Sequence, residues 1–126
     1  MARVLKTNDI DAQDRERGAT TLHIACESGA TKIVKALVRR NADVYVRDKE
    51  GRTCLHGAVK RRQHGAVKAL LKSSAAASGD LVNVEDYQGR TPMHLAAEGG
   101  DMKMLFRLLR AGARTDVRER AWAFLP

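Results

Sequence analysis

The amino-acid sequence predicts an all-α solenoid, in which short helix-turn-helix units stack in a row and turns connect them. Three observations predict this fold: one motif recurs three times, each copy is followed by the apolar spacing of a second helix, and aromatic residues are scarce. Because 44% of the 126 residues are hydrophobic and only 4% are aromatic, the core consists mainly of aliphatic side chains. That composition favours helices over a sandwich of short strands. We expect one domain over residues 1–126.

The recurring motif is a glycine followed by threonine two positions later and histidine five positions later. It occupies residues 18–25, 51–58 and 89–96, so the copies are 33 and 38 residues apart. Self-similarity at such a period is typical of stacked repeat units, each of which buries its apolar side only against its neighbours.

Each copy is expected to begin a short first helix. Thr20, Thr53 and Thr91 are good N-caps, because their hydroxyls can pair with a free backbone N–H of the first turn. Pro92 suits the first helical position. Residues 48–51 and 86–89 read Asp-x-x-Gly, which predicts turns between the units.

A second helix in each unit is indicated by two apolar pairs that lie four residues apart, a spacing that forms one stripe on a helix. A polar or glycine-containing break at residues 28–30, 61–63 and 99–101 separates it from the first helix. The apolar pairs are Ile33–Val34 with Leu37–Val38, Ala66–Val67 with Leu70–Leu71, and Met104–Leu105 with Leu108–Leu109.

Together, the Gly-x-Thr-Pro-Leu-His-x-Ala-Ala pattern, the period and the unit endings at residues 41–43 and 112–114 resemble ankyrin repeats. The resemblance covers residues 7 to 117 and implies a hairpin turn and two antiparallel helices in every unit. It also implies that hairpins and first helices line a concave binding face. The expected division is a partial repeat at 1–14, repeats at 15–47, 48–85 and 86–118, and a cap or partial repeat at 119–126.

Three departures from the family pattern stand out. Arg62 occupies the position of an inter-helix glycine, so either the break is strained there or it uses a different turn. Five residues are added to the second unit within residues 73–79; they either extend the second helix by a turn or form a loop, which their small polar composition favours. The apolar tail at 122–126 is expected to cap the last unit, or else to bind a partner or a second copy.

The chain is strongly basic, with 23 Lys and Arg against 15 Asp and Glu and a formal charge of +8. An acidic protein, a nucleic acid or an anionic membrane surface would each be attracted to it. Its longest apolar runs are too short to span a membrane. Two cysteines do not form a disulfide framework, so a reducing compartment, cytoplasmic or nuclear, is expected.

No catalytic residue, metal ligand or cofactor is predicted. His23, His56 and His94 occupy one repeated position, so they lie a whole unit apart and cannot share an ion. The resemblance implies that this histidine braces the neighbouring hairpin by hydrogen bonds. Cys54 lies at a helix start that favours a thiolate, but no base accompanies it. Cys26 takes a position that the family fills with a buried alanine.

The binding residues are assigned by resemblance to the hairpin tips and inner helices, where the middle unit is basic. We expect a protein partner with an acidic centre, bound by a monomer. Nucleic-acid binding, or a regulatory scaffold that uses the same face, is the alternative. The lysines and arginines of the outer helices are interpreted as a solvated face. The candidate binding residues are Arg47, Lys49, Arg52, Lys60, Arg61, Tyr87, Gln88 and Arg90.

Overall fold

A computed structural model of the chain describes residues 10–73 and 80–114. Within these ranges the structure contains six α-helices, arranged as three consecutive pairs, and no β-strand, which confirms the predicted all-α fold. A 3₁₀ turn, Leu81–Asn83, precedes the last pair. The helices are α1 (Thr21–Ser28), α2 (Thr31–Arg39), α3 (Cys54–Lys60), α4 (His64–Lys72), α5 (Pro92–Glu98) and α6 (Met102–Arg110).

The first helix of each pair begins directly after the predicted threonine, and a histidine completes the cap. The Thr20 hydroxyl accepts the His23 N–H at 3.2 Å, while His23 Nδ1 accepts the Thr20 N–H at 3.1 Å. Thr91 and His94 form the same reciprocal pair. Such a box satisfies two backbone donors that would otherwise have no partner inside the helix.

The units stack through equivalent side chains. Inner helix α1 packs against α3 and α3 against α5, while outer helix α2 packs against α4. Leu22, Leu55 and Met93 hold the same position in successive units, and all three are buried. One local environment is therefore repeated three times, as a linear stack requires.

One position of the predicted apolar stripe differs from its repeats. Ile33 has 51% of its surface exposed, whereas the equivalent Ala66 and Met104 are fully buried. Among the described residues no outer helix precedes α2, so none of them covers this side of Ile33.

The turn between the two helices of each unit has a left-handed residue at one position. That residue is Gly29, Arg62 or Gly100, with φ of 76°, 60° and 68°. The N–H of each donates to the carbonyl oxygen three residues before it, at 3.0–3.2 Å. Arg62 therefore uses the same turn as the glycines, in a conformation that costs a side chain with a Cβ atom about 1–2 kcal/mol.

Three expectations concern residues beyond the described ranges. Most of the N-terminal partial repeat, the insert from residue 74 to 79, and the tail at 122–126 all lie there. The repeat boundaries proposed above therefore stay predictions.

Candidate functional site: hairpin tips and inner helices

The candidate binding residues lie on hairpin loops that an aspartate organises in each unit. Asp86 Oδ1 accepts the N–H groups of Gln88 and Arg90, both at 2.9 Å. Asp48 does the same for Glu50 and Arg52, at 2.8 and 3.0 Å. These bonds give both loops one shape and carry Gln88 to an exposed tip.

The pKa of the Asp86 carboxyl lies below its usual value. Burial raises the pKa, but the N–H groups of Arg90 and Gln88 and the side chain of Arg52 stabilise the charged form more strongly. Asp86 is therefore a fixed negative charge beneath the predicted basic face.

Neighbouring hairpins are joined to each other by backbone hydrogen bonds. The Lys49 N–H donates to the Arg17 carbonyl at 2.8 Å, and the Tyr87 N–H donates to the Glu50 carbonyl at 3.0 Å. Since these bonds connect successive units, the hairpin tips form one continuous row. The lysine side chain Nζ also donates to the carbonyl oxygen of Arg15.

The repeated histidine connects each inner helix to the next hairpin, as the resemblance implied. His23 Nε2 lies 3.0 Å from the Arg52 carbonyl oxygen, and His56 Nε2 lies 2.9 Å from that of Arg90. Nδ1 of each ring accepts the N–H of its N-cap threonine, so the proton is on Nε2, which donates. Both nitrogens of each ring are thus used in holding the units together.

Tyr87 is the most exposed large hydrophobic side chain of the described residues, with 69% of its surface accessible. Its ring covers Gly51, where a Cβ atom would lie 2.5 Å from Cδ1. The Arg47 guanidinium lies 5.8 Å from the ring centroid and donates to the Glu85 carbonyl oxygen. The tyrosine and the arginine, from adjacent hairpins, form a cation–π pair at the tips.

Two predicted cations are neutralised by acids of the same face. Arg52 Nε lies 3.3 Å from Asp86 Oδ2, and Arg52 Nη1 lies 3.3 Å from Glu50 Oε1. Arg90 Nη1 lies 3.1 Å from Glu98 Oε1. These arginines serve the scaffold, so the face is less basic than its count of cations suggests.

Lys60 and Arg61 are different, because no acid lies within ion-pair distance of either among the described residues. Lys60 ends α3 and Arg61 follows it, and both side chains are exposed. They line a cavity of about 220 Å³ together with the Arg17–Glu27 ion pair. Of the predicted binding residues, Lys60 and Arg61 therefore place two exposed positive charges without an acid partner at the C-terminal end of α3.

Both cysteines lie in the core of the stack. Cys26 and Cys54 are both buried thiols, and the Cys54 Sγ lies 3.6 Å from the Val44 carbonyl oxygen. A hydrogen bond with Cys54, together with burial, raises the pKa of the Cys26 thiol. Across residues 10–73 and 80–114, no three His, Cys, Asp or Glu side chains form a metal-binding group.

The sequence did not reveal which cations of the face pair with acids and which remain unpaired. The partners of Glu50 and Glu98 depend on side-chain directions across turns and between units. Arg52 and Asp86 are 34 residues apart in the sequence, and Arg90 and Glu98 are 8 residues apart. A periodicity argument therefore had no signal for these pairs.

The chain belongs to the ankyrin repeat family. A family model of three ankyrin repeats matches residues 1–80 and 22–119. Ankyrin repeats generally mediate protein–protein interactions, and the family is generally non-catalytic. No described helix is both long enough and apolar enough to cross a lipid bilayer.

Several curated proteins are similar to this chain. The mouse B-cell lymphoma 3 protein homolog is 32% identical over 113 residues, which cover 90% of this chain and 25% of that protein. Human inversin is 28% identical over 106 residues, covering 83% of this chain and 10% of its own length. Arabidopsis thaliana ADP-ribosylation factor GTPase-activating protein AGD2 is 31% identical over 109 residues, which cover 86% of this chain and 12% of that protein. The chain thus spans a quarter or less of each relative.

Proposed function

We propose that the chain is a non-catalytic adaptor that docks the acidic surface of a partner protein on its hairpin tips and inner helices. The observation that carries the proposal is the exposed Tyr87 ring, held between Gly51 and Arg47. Tyrosine and arginine are enriched among the residues that dominate binding energy at protein interfaces. Since Tyr87 lies in a hydrogen-bonded row of hairpins, it needs little ordering on binding.

Electrostatic attraction comes from Lys60 and Arg61, whose charges are not used inside the chain. Charges at the rim of an interface act mainly on the association rate, and salt weakens their effect. Arg52 and Arg90, which already pair with acids, position the loops. Arg47, Lys49 and Gln88 complete the surface at the tips.

A nucleic-acid ligand is less well supported. Single-strand binders combine a basic groove with several stacking aromatics, whereas Tyr87 is the one exposed aromatic side chain that the described hairpins present. The buried acid Asp86 and the ion pair Arg90–Glu98 also lower the positive potential along the row. An intracellular location, in the cytoplasm or nucleus, agrees with two unoxidised buried thiols.

Cross-linking mass spectrometry of captured partners, followed by affinity measurement with the purified partner, tests this proposal. We expect Tyr87→Ala and the double variant Lys60→Gln/Arg61→Gln each to weaken binding at least about tenfold. Lys32→Gln/Lys35→Gln on α2 removes the same charge from the outer face and is the matched control. The proposal is wrong if the control weakens binding as much, or if cross-links map only to the outer helices.

Polynucleotide binding is the outcome that distinguishes the alternative. For a nucleic-acid ligand, the logarithm of the association constant decreases linearly with the logarithm of the salt concentration, with a slope set by the number of phosphates that the protein neutralises. We expect weak, sequence-independent retention that Lys60→Gln/Arg61→Gln and Lys32→Gln/Lys35→Gln reduce equally. A large selective loss in the Lys60 and Arg61 variant would favour the nucleic-acid function.

A further inference from the structure

A groove opens on the outer face of the solenoid, between α4 and α6. The two outer helices α2 and α4 pack directly against each other, whereas α4 and α6 make little direct contact. The groove has a volume of about 460 Å³, which lies within the range of ligand-binding clefts.

The groove has a cause in the repeat itself. Gly65 lies at the contact of α4 with α2, where a Cβ atom would be 2.9 Å from the Thr31 hydroxyl oxygen. The equivalent position in α6 is Lys103, whose long side chain lines the groove. A glycine permits close approach of two helices, and a lysine at the same position does not.

Each helix contributes one stripe to the lining. Lys68, Leu71 and Lys72 follow the i, i+3, i+4 spacing along α4, so they share one helix face. Phe106 and Arg107 continue the stripe that Lys103 begins on α6. Apolar side chains therefore lie between cations on both walls.

Phe106 is an exposed aromatic side chain within this charged surface, with 57% of its area accessible. With Leu71 and Ala111 it supplies the apolar lining. An exposed apolar patch rimmed by polar residues is a mark of an interaction site.

The charge of the groove is of one sign. Its lining includes five cations and no carboxylate. None of the five has an acid within 4.0 Å among residues 10–73 and 80–114. The Arg107 Nε atom is buried and has no hydrogen-bond partner in this part of the chain. A buried donor without an acceptor is costly.

We propose that this outer groove binds an acidic amphipathic helix of a partner protein. Hydrophobic side chains at helical spacing would pack against Phe106 and Leu71, while flanking carboxylates would pair with the cations of both walls. A groove in which the apolar side chains lie between cations of two helices suits an amphipathic helix better than a flat lipid surface. The inference depends on the groove alone and is independent of the binding face at the hairpin tips.

Fluorescence anisotropy of the full chain with a designed peptide tests the proposal. The probe is a fluorescein-labelled helical peptide of glutamates with leucines at i, i+3 and i+7. Its control replaces the leucines by serines at equal charge. We expect the leucine peptide to bind at least about tenfold more tightly than the serine peptide.

Matched variants locate the bound peptide. Lys68→Glu/Lys103→Glu reverses charges in the groove, and Lys32→Glu/Lys35→Glu reverses the equivalent charges on α2. Phe106→Ser removes the exposed ring, and circular dichroism confirms that every variant is folded. We expect the groove double variant and Phe106→Ser each to weaken binding at least about tenfold, with less than about a threefold effect of the α2 variant.

The alternative results each overturn the proposal. Equal reductions of affinity in the two charge-reversal variants would mean attraction to net charge alone. Equal affinity for the serine peptide would mean that the apolar lining is not used. Binding of phosphatidylserine vesicles or of polynucleotide, together with no binding of the leucine peptide, would assign the groove to a different class of ligand.

Discussion

The Nε2 atom of His56 lies 2.9 Å from the carbonyl oxygen of Arg90, and this hydrogen bond fastens the middle unit to the hairpin of the next. Since Nδ1 of the same ring accepts the N–H of Thr53, the ring must be neutral to make both bonds. The bond therefore links protonation of one buried side chain to the attachment of two repeats.

Acid should destabilise the stack through His56. Burial lowers the pKa of His56, although the hydrogen bond with Arg90 partly opposes the shift. The folded state thus binds the proton more weakly than the unfolded state does. The contribution of neutral His56 to stability is complete above its unfolded pKa of about 6.5 and is lost as pH falls through its lower folded pKa. We expect urea midpoints to decrease from about pH 8 to pH 5.

The control for this prediction is His56→Gln, which has no titratable group at that position. The variant is expected to be less stable at every pH, but its urea midpoint should depend less on pH. Parallel pH profiles of the two proteins would show that His56 does not carry the effect.

Gly51→Ala should destabilise the protein more than Gly100→Ala does. Both glycines have positive φ, 79° and 68°, so each substitution introduces left-handed strain of about 1–3 kcal/mol. The Cβ atom at position 51 would also collide with the Tyr87 ring, whereas nothing lies within 4 Å at position 100. Chemical denaturation measures the difference. If Tyr87→Ala fails to reduce the extra cost of Gly51→Ala, the ring does not rest on this glycine.

Arg62 offers a test of the backbone strain in the second unit. Its φ of 60° is the conformation that glycine holds at the equivalent positions. Arg62→Gly and Arg62→Ala both lose the hydrogen bond to the Gly99 carbonyl. Only glycine relieves the strain, so we expect Arg62→Gly to be the more stable variant by about 1 kcal/mol. Equal thermal midpoints of the two variants would contradict a strained turn.

The two thiols should resist modification while the protein is folded. Cys26 and Cys54 are buried, and the raised pKa of Cys26 disfavours its reactive thiolate. We expect an aromatic disulfide reagent to modify them only at the rate of unfolding, and to modify both at once in urea. Single Cys26→Ala and Cys54→Ala variants assign the two reactions. Rapid labelling of the native protein would show that the inner helices open easily.

Much of the fold follows from local patterns. Thr20, Thr53 and Thr91 indicated the helix starts because an N-cap is satisfied within one turn, and Asp48 and Asp86 indicated the loops for the same reason. The ion pairs of Arg52 and Arg90 could not be anticipated, because they depend on which side chains approach across separate loops. The groove at Phe106 was likewise hidden, since its lysines read as an ordinary solvated face.

By itself, the sequence determined a stack of ankyrin units and the presence of a large excess of positive charge. Repeats and caps are encoded by spacing along the chain, and net charge by composition. Only the tertiary structure decided which cations pair with acids, as Arg52 and Arg90 do, and which gather in a groove without acids between α4 and α6. The reason is physical. Coulombic pairing depends on separation in space, so an arginine beside Asp86 is paired, whereas an arginine in a groove without acids is not.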